Sequence, residues 1–129
     1  MIVKINKSIA SGVIQAPPSK SYAHRLLIGA ALSGDSTISN VAFSDDILAT
    51  LDCLKTLGCT VNINNDKVHV SLGDNRGDTF NCRESGSTLR FLIPIVLAKQ
   101  ENASFVGTEK LFSRGISVYE KIFKEQKIQ

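Results

Sequence analysis

Residues 44–58 constrain the fold most, because a cap, an apolar stripe and a stop all agree there on one helix. Ser44 is placed to cap it, Asp45 and Asp46 put negative charge in the first turn where the helix dipole favours it, and Gly58 closes it. Ile47, Leu48, Leu51, Leu54 and Leu57 recur at helical spacing, so one face has to be buried against a second element. That element follows directly. Residues 59–63 and 67–72 read as two strands joined by Asn64, Asn65 and Asp66 in a hairpin-type turn. A capped amphipathic helix that runs into a hairpin commits this stretch to helix packed on sheet.

The same pattern extends in both directions. Ile2, Lys4 and Asn6 alternate with Val3, Ile5 and Lys7 as in a strand, and a second short strand is expected at residues 12–15. Pro17-Pro18 then stiffens the entry to a helix that Ser21 is expected to cap. It carries Ala23, Leu26, Leu27, Ala30 and Ala31 at helical spacing and ends near Gly34, and residues 35–41 read as a strand. Strand, helix, strand, helix, strand, strand is an α/β (α+β) order that predicts a mixed sheet with helices on one side. A second cycle begins with a helix over residues 84–100, a strand over 103–107 and a helix over 116–126. Its closing hairpin is missing, so the pattern predicts a longer repeat protein cut short at Gln129.

Charge excludes little by itself. Fifteen Lys and Arg against twelve Asp and Glu give a formal net charge of +3, too small to argue for nucleic acid or a membrane surface as partner. Anion affinity must therefore come from local placement of cations. Cys53, Cys59 and Cys82 form no C-x-x-C pair and leave an odd thiol, which fits a reducing, cytoplasmic compartment. His24 and His69 lie far apart without a Cys or carboxylate cluster at ligand spacing, so no metal is expected. No signal peptide and no membrane-spanning stretch is read from the sequence.

Three stretches carry the chemistry. Lys20, Ser21 and Arg25 stand at the start of the first helix, where free backbone N–H groups, a hydroxyl, a point charge and a forked guanidinium can together hold a phosphate or carboxylate. Glu84-Ser85-Gly86-Ser87-Thr88-Leu89-Arg90 opens another helix, and Gly86 lets the backbone approach a ligand. It lacks the lysine of a P-loop. Ser113-Arg114-Gly115 precedes a third helix and can aim Arg114 toward the same side. If the repeated units form one sheet system, these helix starts converge on one cleft. Each motif alone is also explained as an ordinary cap with exposed basic residues.

In this order and spacing, Lys20-Ser21-x-x-x-Arg25, Ser44-Asp45-Asp46, the 84–90 segment and Ser113-Arg114 resemble the N-terminal portion of 5-enolpyruvylshikimate-3-phosphate synthases. The resemblance implies repeated βαβαββ units of the enolpyruvyl transferase inside-out barrel (β-prism) fold, incomplete here. Residues 1–129 would be the N-terminal portion of a two-domain enzyme, about one complete unit plus part of a second, with residues 1–15 a candidate segment of the other domain. It also implies transfer of the enolpyruvyl group of phosphoenolpyruvate to shikimate 3-phosphate, without metal or organic cofactor. Lys20 and Arg114 would bind phosphoenolpyruvate, Ser21 and Arg25 shikimate 3-phosphate, and the segment of Glu84, Gly86, Ser87 and Arg90 would border the phosphoenolpyruvate site. Asp45 would lie beside the Lys20 ammonium and orient it. The family is typically monomeric, whereas sheet edges left open by truncation favour self-association.

Two positions depart from the family pattern. Gly115 stands where a Pro usually follows the arginine, which is expected to loosen the last helix start. Glu84 replaces a common Asn and puts a carboxylate near an anion site, where it repels phosphoenolpyruvate unless Lys20, Arg90 or another cation neutralises it. Two other readings compete. A UDP-N-acetylglucosamine enolpyruvyl transferase is disfavoured by Ser21 after Lys20 and by the absence of a Cys in a suitable loop. A non-catalytic anion-binding or RNA-end-binding module would need exposed aromatics along a basic stripe, but the six Phe and two Tyr sit mostly in apolar stripes, as Phe91 and Phe123 do.

Overall fold

The computed structural model describes residues 2–4, 6–7, 9, 11–99 and 102–128. Its elements run α1 (Lys20–Ser33), β1 (Asp35–Ile38), α2 (Asp45–Thr56), β2 (Cys59–Asn64), β3 (Lys67–Leu72), β4 (Thr79–Asn81), α3 (Gly86–Lys99), β5 (Ser104–Val106), α4 (Glu109–Ser113) and α5 (Ser117–Gln126).

Local chemistry fixes most boundaries. Ser44 Oγ accepts from Ile47 N at the start of α2, as its position before the two aspartates requires. At the start of α1 the cap is Ser19, whose Oγ accepts from Tyr22 N, and not Ser21. Helical geometry begins immediately after the Pro-Pro-Ser entry, so Ser21 already lies within the first turn. Gly34 ends α1 in the left-handed region and returns its N–H to Ala30 O at 3.1 Å.

The main sheet has strand order β1-β3-β2, and every pairing in it is antiparallel. This corrects the expected mixed sheet. Both β1 and β2 run against β3, and the parallel pairing is confined to a separate sheet of β4 and β5, joined through α3. The side of the helices is as expected. Ile38, Val68 and Val70 are buried under α1 and α2, while Thr37 and His69 form a cross-strand pair on the other face, Oγ1 to Nδ1 at 3.1 Å. Leu27, Ile47, Leu51 and Leu54 complete this core from the helices.

The N-terminal strands are not found. Residues 2–4, 6–7 and 12–15 have no ladder partner among the described residues, and Ile5 of the expected alternation lies outside them, as does Gln100 at the end of the helix read over 84–100. Ile2, Val3, Val13 and Ile14 are exposed. Alternation specifies which side chains share a face, but a strand exists only where a second backbone takes up its hydrogen bonds.

One irregularity in α3 is repaired from a distance. Pro94 lies inside the helix and has no N–H to give to the carbonyl four residues earlier, that of Arg90. Tyr119 of α5 supplies the donor, its hydroxyl reaching Arg90 O at 2.6 Å. This bond also fixes α5, which buries none of its residues fully, against α3.

Candidate functional site

Three helix starts meet at one cleft of about 400 Å³, lined by Lys20, Ser44, Asp45, Asp46, Glu84 and Arg114. Lys20 is the first residue of α1, Ser44 to Asp46 are the cap and first turn of α2, and Glu84 stands two residues before α3. The positive dipole ends of these helices thus lie near one place. Arg114 arrives differently from the sequence expectation. It is the C-cap of the five-residue helix α4, which the sequence reading missed, and is separated from α5 by Gly115 and Ile116. A cation at a helix C-terminus is itself favourable.

Gly115 has φ +70, which a proline cannot adopt, and Ile116 gives α5 no side-chain cap. The start of α5 therefore has no side-chain cap, while Tyr119 N and Glu120 N donate to Ile116 O at 2.8 and 3.2 Å.

The cations of the cleft are not free. Lys20 Nζ lies 3.1 Å from Asp46 Oδ2, so the carboxylate that meets the lysine is Asp46 and not Asp45. Consecutive residues of a helix point about 100° apart, so the two carboxylates enter the lining of the cleft from different directions and only Asp46 makes the contact with Lys20. Glu84 Oε1 lies 2.5 Å from Lys110 Nζ and 3.6 Å from Arg114 Nη2. Neutralisation of Glu84 thus comes from Lys110 and Arg114, rather than from Lys20 or Arg90.

Gly86, Arg90 and Arg114 crowd together beside this cleft. A Cβ built on Gly86 would stand 2.6 Å from Arg90 Nη1 and 3.8 Å from Arg114 Nη1. Arg90 donates to Gly86 O and to Gly115 O, both at 3.4 Å. Because Gly86 has an ordinary backbone conformation and meets only the end of a flexible side chain, Gly86→Ala is expected to change stability by no more than about 1 kcal/mol. The methyl group pushes the Arg90 guanidinium aside, and affinity for inorganic phosphate is expected to fall about tenfold. Parallel thermal melts and phosphate titrations separate the two effects; a variant that binds phosphate like the wild type counts against a site at Gly86.

Ser21 and Arg25 do not line the cleft. Arg25 folds back along α1, donating from Nη1 to Ser21 O at 2.7 Å, and its guanidinium lies 5.0 Å from the centre of the Phe91 ring of α3. Ser87, at the second position of α3, is half-buried.

Beneath the helix starts runs a buried polar chain that the sequence reading missed. His24 Nδ1 is 2.8 Å from Thr50 Oγ1, Thr50 Oγ1 is 2.7 Å from Thr88 Oγ1, and Thr88 Oγ1 donates to Ser85 Oγ at 2.7 Å. Both threonines also reach Asp46 O, at 3.2 and 3.4 Å. Ser85 Oγ in turn accepts from Thr88 N, capping α3. One polar run thereby ties α1, α2 and α3 together below the cleft. The only advance signal is that His24 falls on the apolar face of α1, four residues after Lys20.

Comparison with known proteins follows the same outline. A family profile described as EPSP synthase (3-phosphoshikimate 1-carboxyvinyltransferase) matches residues 4–127. A 3-phosphoshikimate 1-carboxyvinyltransferase of Clostridium perfringens (strain SM101 / Type A) is 44% identical over 98% of this chain and 31% of its own length. The protein of the same description from Clostridium kluyveri is 45% identical over 98% of this chain and 30% of its own. A solved EPSP synthase from Acinetobacter baumannii superposes with a TM-score of 0.77 at 21% identity, covering 92% of this chain and 28% of that one, a likeness of fold. The chain thus spans about 31% of the length of the curated relatives it matches.

Proposed function

The chain belongs to the EPSP synthase family, and from that premise we propose that it supplies the anion-holding part of an enzyme that transfers the enolpyruvyl group of phosphoenolpyruvate to shikimate 3-phosphate. The observation that carries this reading is the meeting of the α1, α2 and α3 starts with Lys20 and Arg114 at one cleft. In such a reaction a proton is added at the methylene carbon of phosphoenolpyruvate and the shikimate hydroxyl attacks the adjacent carbon. The hydroxyl proton passes to a base, and loss of phosphate together with one proton of the new methyl group then restores the carbon–carbon double bond. Several negative charges are held close together throughout, and fixed cations with helix N-termini stabilise them without reorganising.

Within that scheme Lys20 and Arg114 hold phosphoenolpyruvate, with Gly86, Ser87 and Arg90 at its border. Asp46 takes the orienting part first expected of Asp45. Ser21 and Arg25, on the exposed side of α1, face shikimate 3-phosphate, and the stacking of Arg25 on Phe91 pre-sets that guanidinium. The remaining cations and the carboxylate base are assigned to the part of the relatives' length that this chain does not cover, so the chain alone is catalytically inactive. Residues 1–15 are assigned to a second domain, a reading supported by the exposure of Val13 and Ile14. A cytoplasmic site of action is part of the same reading. No helix of the described residues is long and apolar enough to cross a membrane, and the three cysteines are free and buried.

Calorimetric titration of the purified chain tests the assignment. Weak binding of phosphoenolpyruvate and shikimate 3-phosphate is expected, with no turnover of the pair. Arg114→Ala is expected to weaken phosphoenolpyruvate at least tenfold, the loss of a charge-assisted contact of about 1.5–3 kcal/mol. Tighter binding of a short RNA than of either substrate would favour the non-catalytic alternative.

A further inference from the structure

The cleft is lined by two cations, Lys20 and Arg114, and three carboxylates, Asp45, Asp46 and Glu84, so its lining carries one net negative charge. That is the wrong sign for a pocket that receives phosphorylated acids. Each cation already has a resident carboxylate, Asp46 on Lys20 and Glu84 on Arg114. The two pairs differ in one respect. Asp46 is held in the first turn of α2, whereas Glu84 precedes α3 and has a second cation within reach, Lys110, which lies outside the lining of the cleft.

Glu84 Oε1 sits 2.5 Å from Lys110 and 3.6 Å from Arg114, so the contact with Arg114 is the longer and the one that yields first. We propose that Glu84 is a counter-ion exchanged at Arg114 for the incoming anion, and that Lys110 retains the displaced carboxylate away from the cleft. The proposal rests on the reading of Arg114 as an anion-binding residue given above. It makes Glu84 and Lys110 positioning residues that set affinity without touching the ligand. With Glu84 on Arg114, the guanidinium is held ready but occupied, and part of the binding energy goes into replacing one carboxylate by another. Side-chain exposure of 45% for Glu84 and 67% for Lys110 screens the pair and keeps the effect modest.

A double-mutant cycle decides the matter, with phosphoenolpyruvate titrated at low ionic strength into the chain and its variants under NMR observation. Glu84→Gln is expected to tighten binding about two- to fivefold, and Lys110→Met to weaken it by a similar factor. In the Glu84→Gln background, Lys110→Met is expected to have no effect, because no carboxylate remains to be retained. Wild-type affinity in Glu84→Gln overturns the exchange, and so does an undiminished loss from Lys110→Met in that background, which would make Lys110 a direct ligand. Arg114→Ala keeps the two levels apart. If it binds like the wild type, or if no form binds, the reading of Arg114 fails and the exchange fails with it. If Arg114→Ala alone abolishes binding while the cycle shows no coupling, only the exchange is lost.

Discussion

Phe80→Ala is expected to lower stability by about 3–5 kcal/mol, the range for deleting a fully buried aromatic ring from a packed core. Phe80 is the middle residue of β4, has no exposed surface and stands in register with Phe105 of β5, the ring centroids 5.3 Å apart. Strands of three residues have too few ladder bonds to persist alone, so this stacked pair and its packing against α2 hold the second sheet in place. What hangs from that sheet is one side of the cleft, Glu84 and Arg114. Cys82 N bonds Val106 O and Thr108 N bonds Arg83 O, both at 2.8 Å, and these bonds set the approach to Glu84 on one side and the cap of α4 on the other. Arg83, at φ 52, also reaches Asp52 of α2 at 2.6 Å. Loss of the ring therefore loosens Glu84 and Arg114 together. Urea unfolding is expected to show the midpoint falling at constant slope. A loss below about 1 kcal/mol would mean that the second sheet is held by something other than Phe80.

In that sheet β5 falls within the strand read over residues 103–107, whereas β4 has no signal in the sequence. Residues 79–81 give too short a run for a period to show, and their partner lies beyond a helix, so nothing local announces β4. By contrast α2 could be read almost to the residue, since Ser44, the two aspartates and Gly58 each act through backbone groups within a few positions. The β2–β3 hairpin was legible for the same reason, its reversal being made locally, with Asn65 at φ 52. Short-range chemistry is written in the sequence; long-range pairing is not.

The site divides along the same line. That the starts of α1, α2 and α3 carry groups suited to an anion follows from their residues, but which carboxylate neutralises which cation depends on side-chain direction to within one helical step, and so Asp46 replaces Asp45 at Lys20. Helix α4 did carry a signal. Thr108 before Glu109, with Leu111 three positions after the threonine, is a cap ahead of an apolar residue, and Thr108 Oγ1 does accept from Leu111 N at 3.2 Å. Arg114 ends α4 and is separated from Ser117, the first residue of α5, only by Gly115 and Ile116, so its place in the sequence fits either helix. Lys110 owes its place beside Glu84 to the same short helix.

Thr50→Val is expected to cost about 1–3 kcal/mol although the two side chains have nearly the same shape. The hydroxyl it removes is shared by His24 Nδ1 at 2.8 Å and Thr88 Oγ1 at 2.7 Å, and all three residues are buried. His24 Nδ1 is left without that partner at a cost of about 1–3 kcal/mol, while Thr88 Oγ1 keeps Ser85 Oγ and Asp46 O. Thr50→Ser, which keeps the hydroxyl, is expected to recover most of the loss. Equal destabilisation by Val and Ser would assign the effect to packing and dismiss the network. Acid attacks the same chain from its other end. Burial lowers the His24 pKa below the ordinary 6.5; nearby Asp46 opposes this, and Lys20 and Arg25 add to it. The unfolded chain takes up a proton near pH 6.5 that the folded chain resists, so stability is complete above that pH and falls as the pH drops below it toward the lowered value. His24→Asn, which cannot titrate, is expected to flatten this part of the profile, measured as the unfolding midpoint between about pH 7.5 and 5.5. Asp46 O, Thr88 and Ser85 lie on the network that His24 terminates, so a destabilising proton on His24 is expected to be felt at the starts of α2 and α3. Anion affinity should decline over the same pH interval in the wild type and hold steadier in His24→Asn, and a decline of equal size in both would separate the cleft from the chain beneath it.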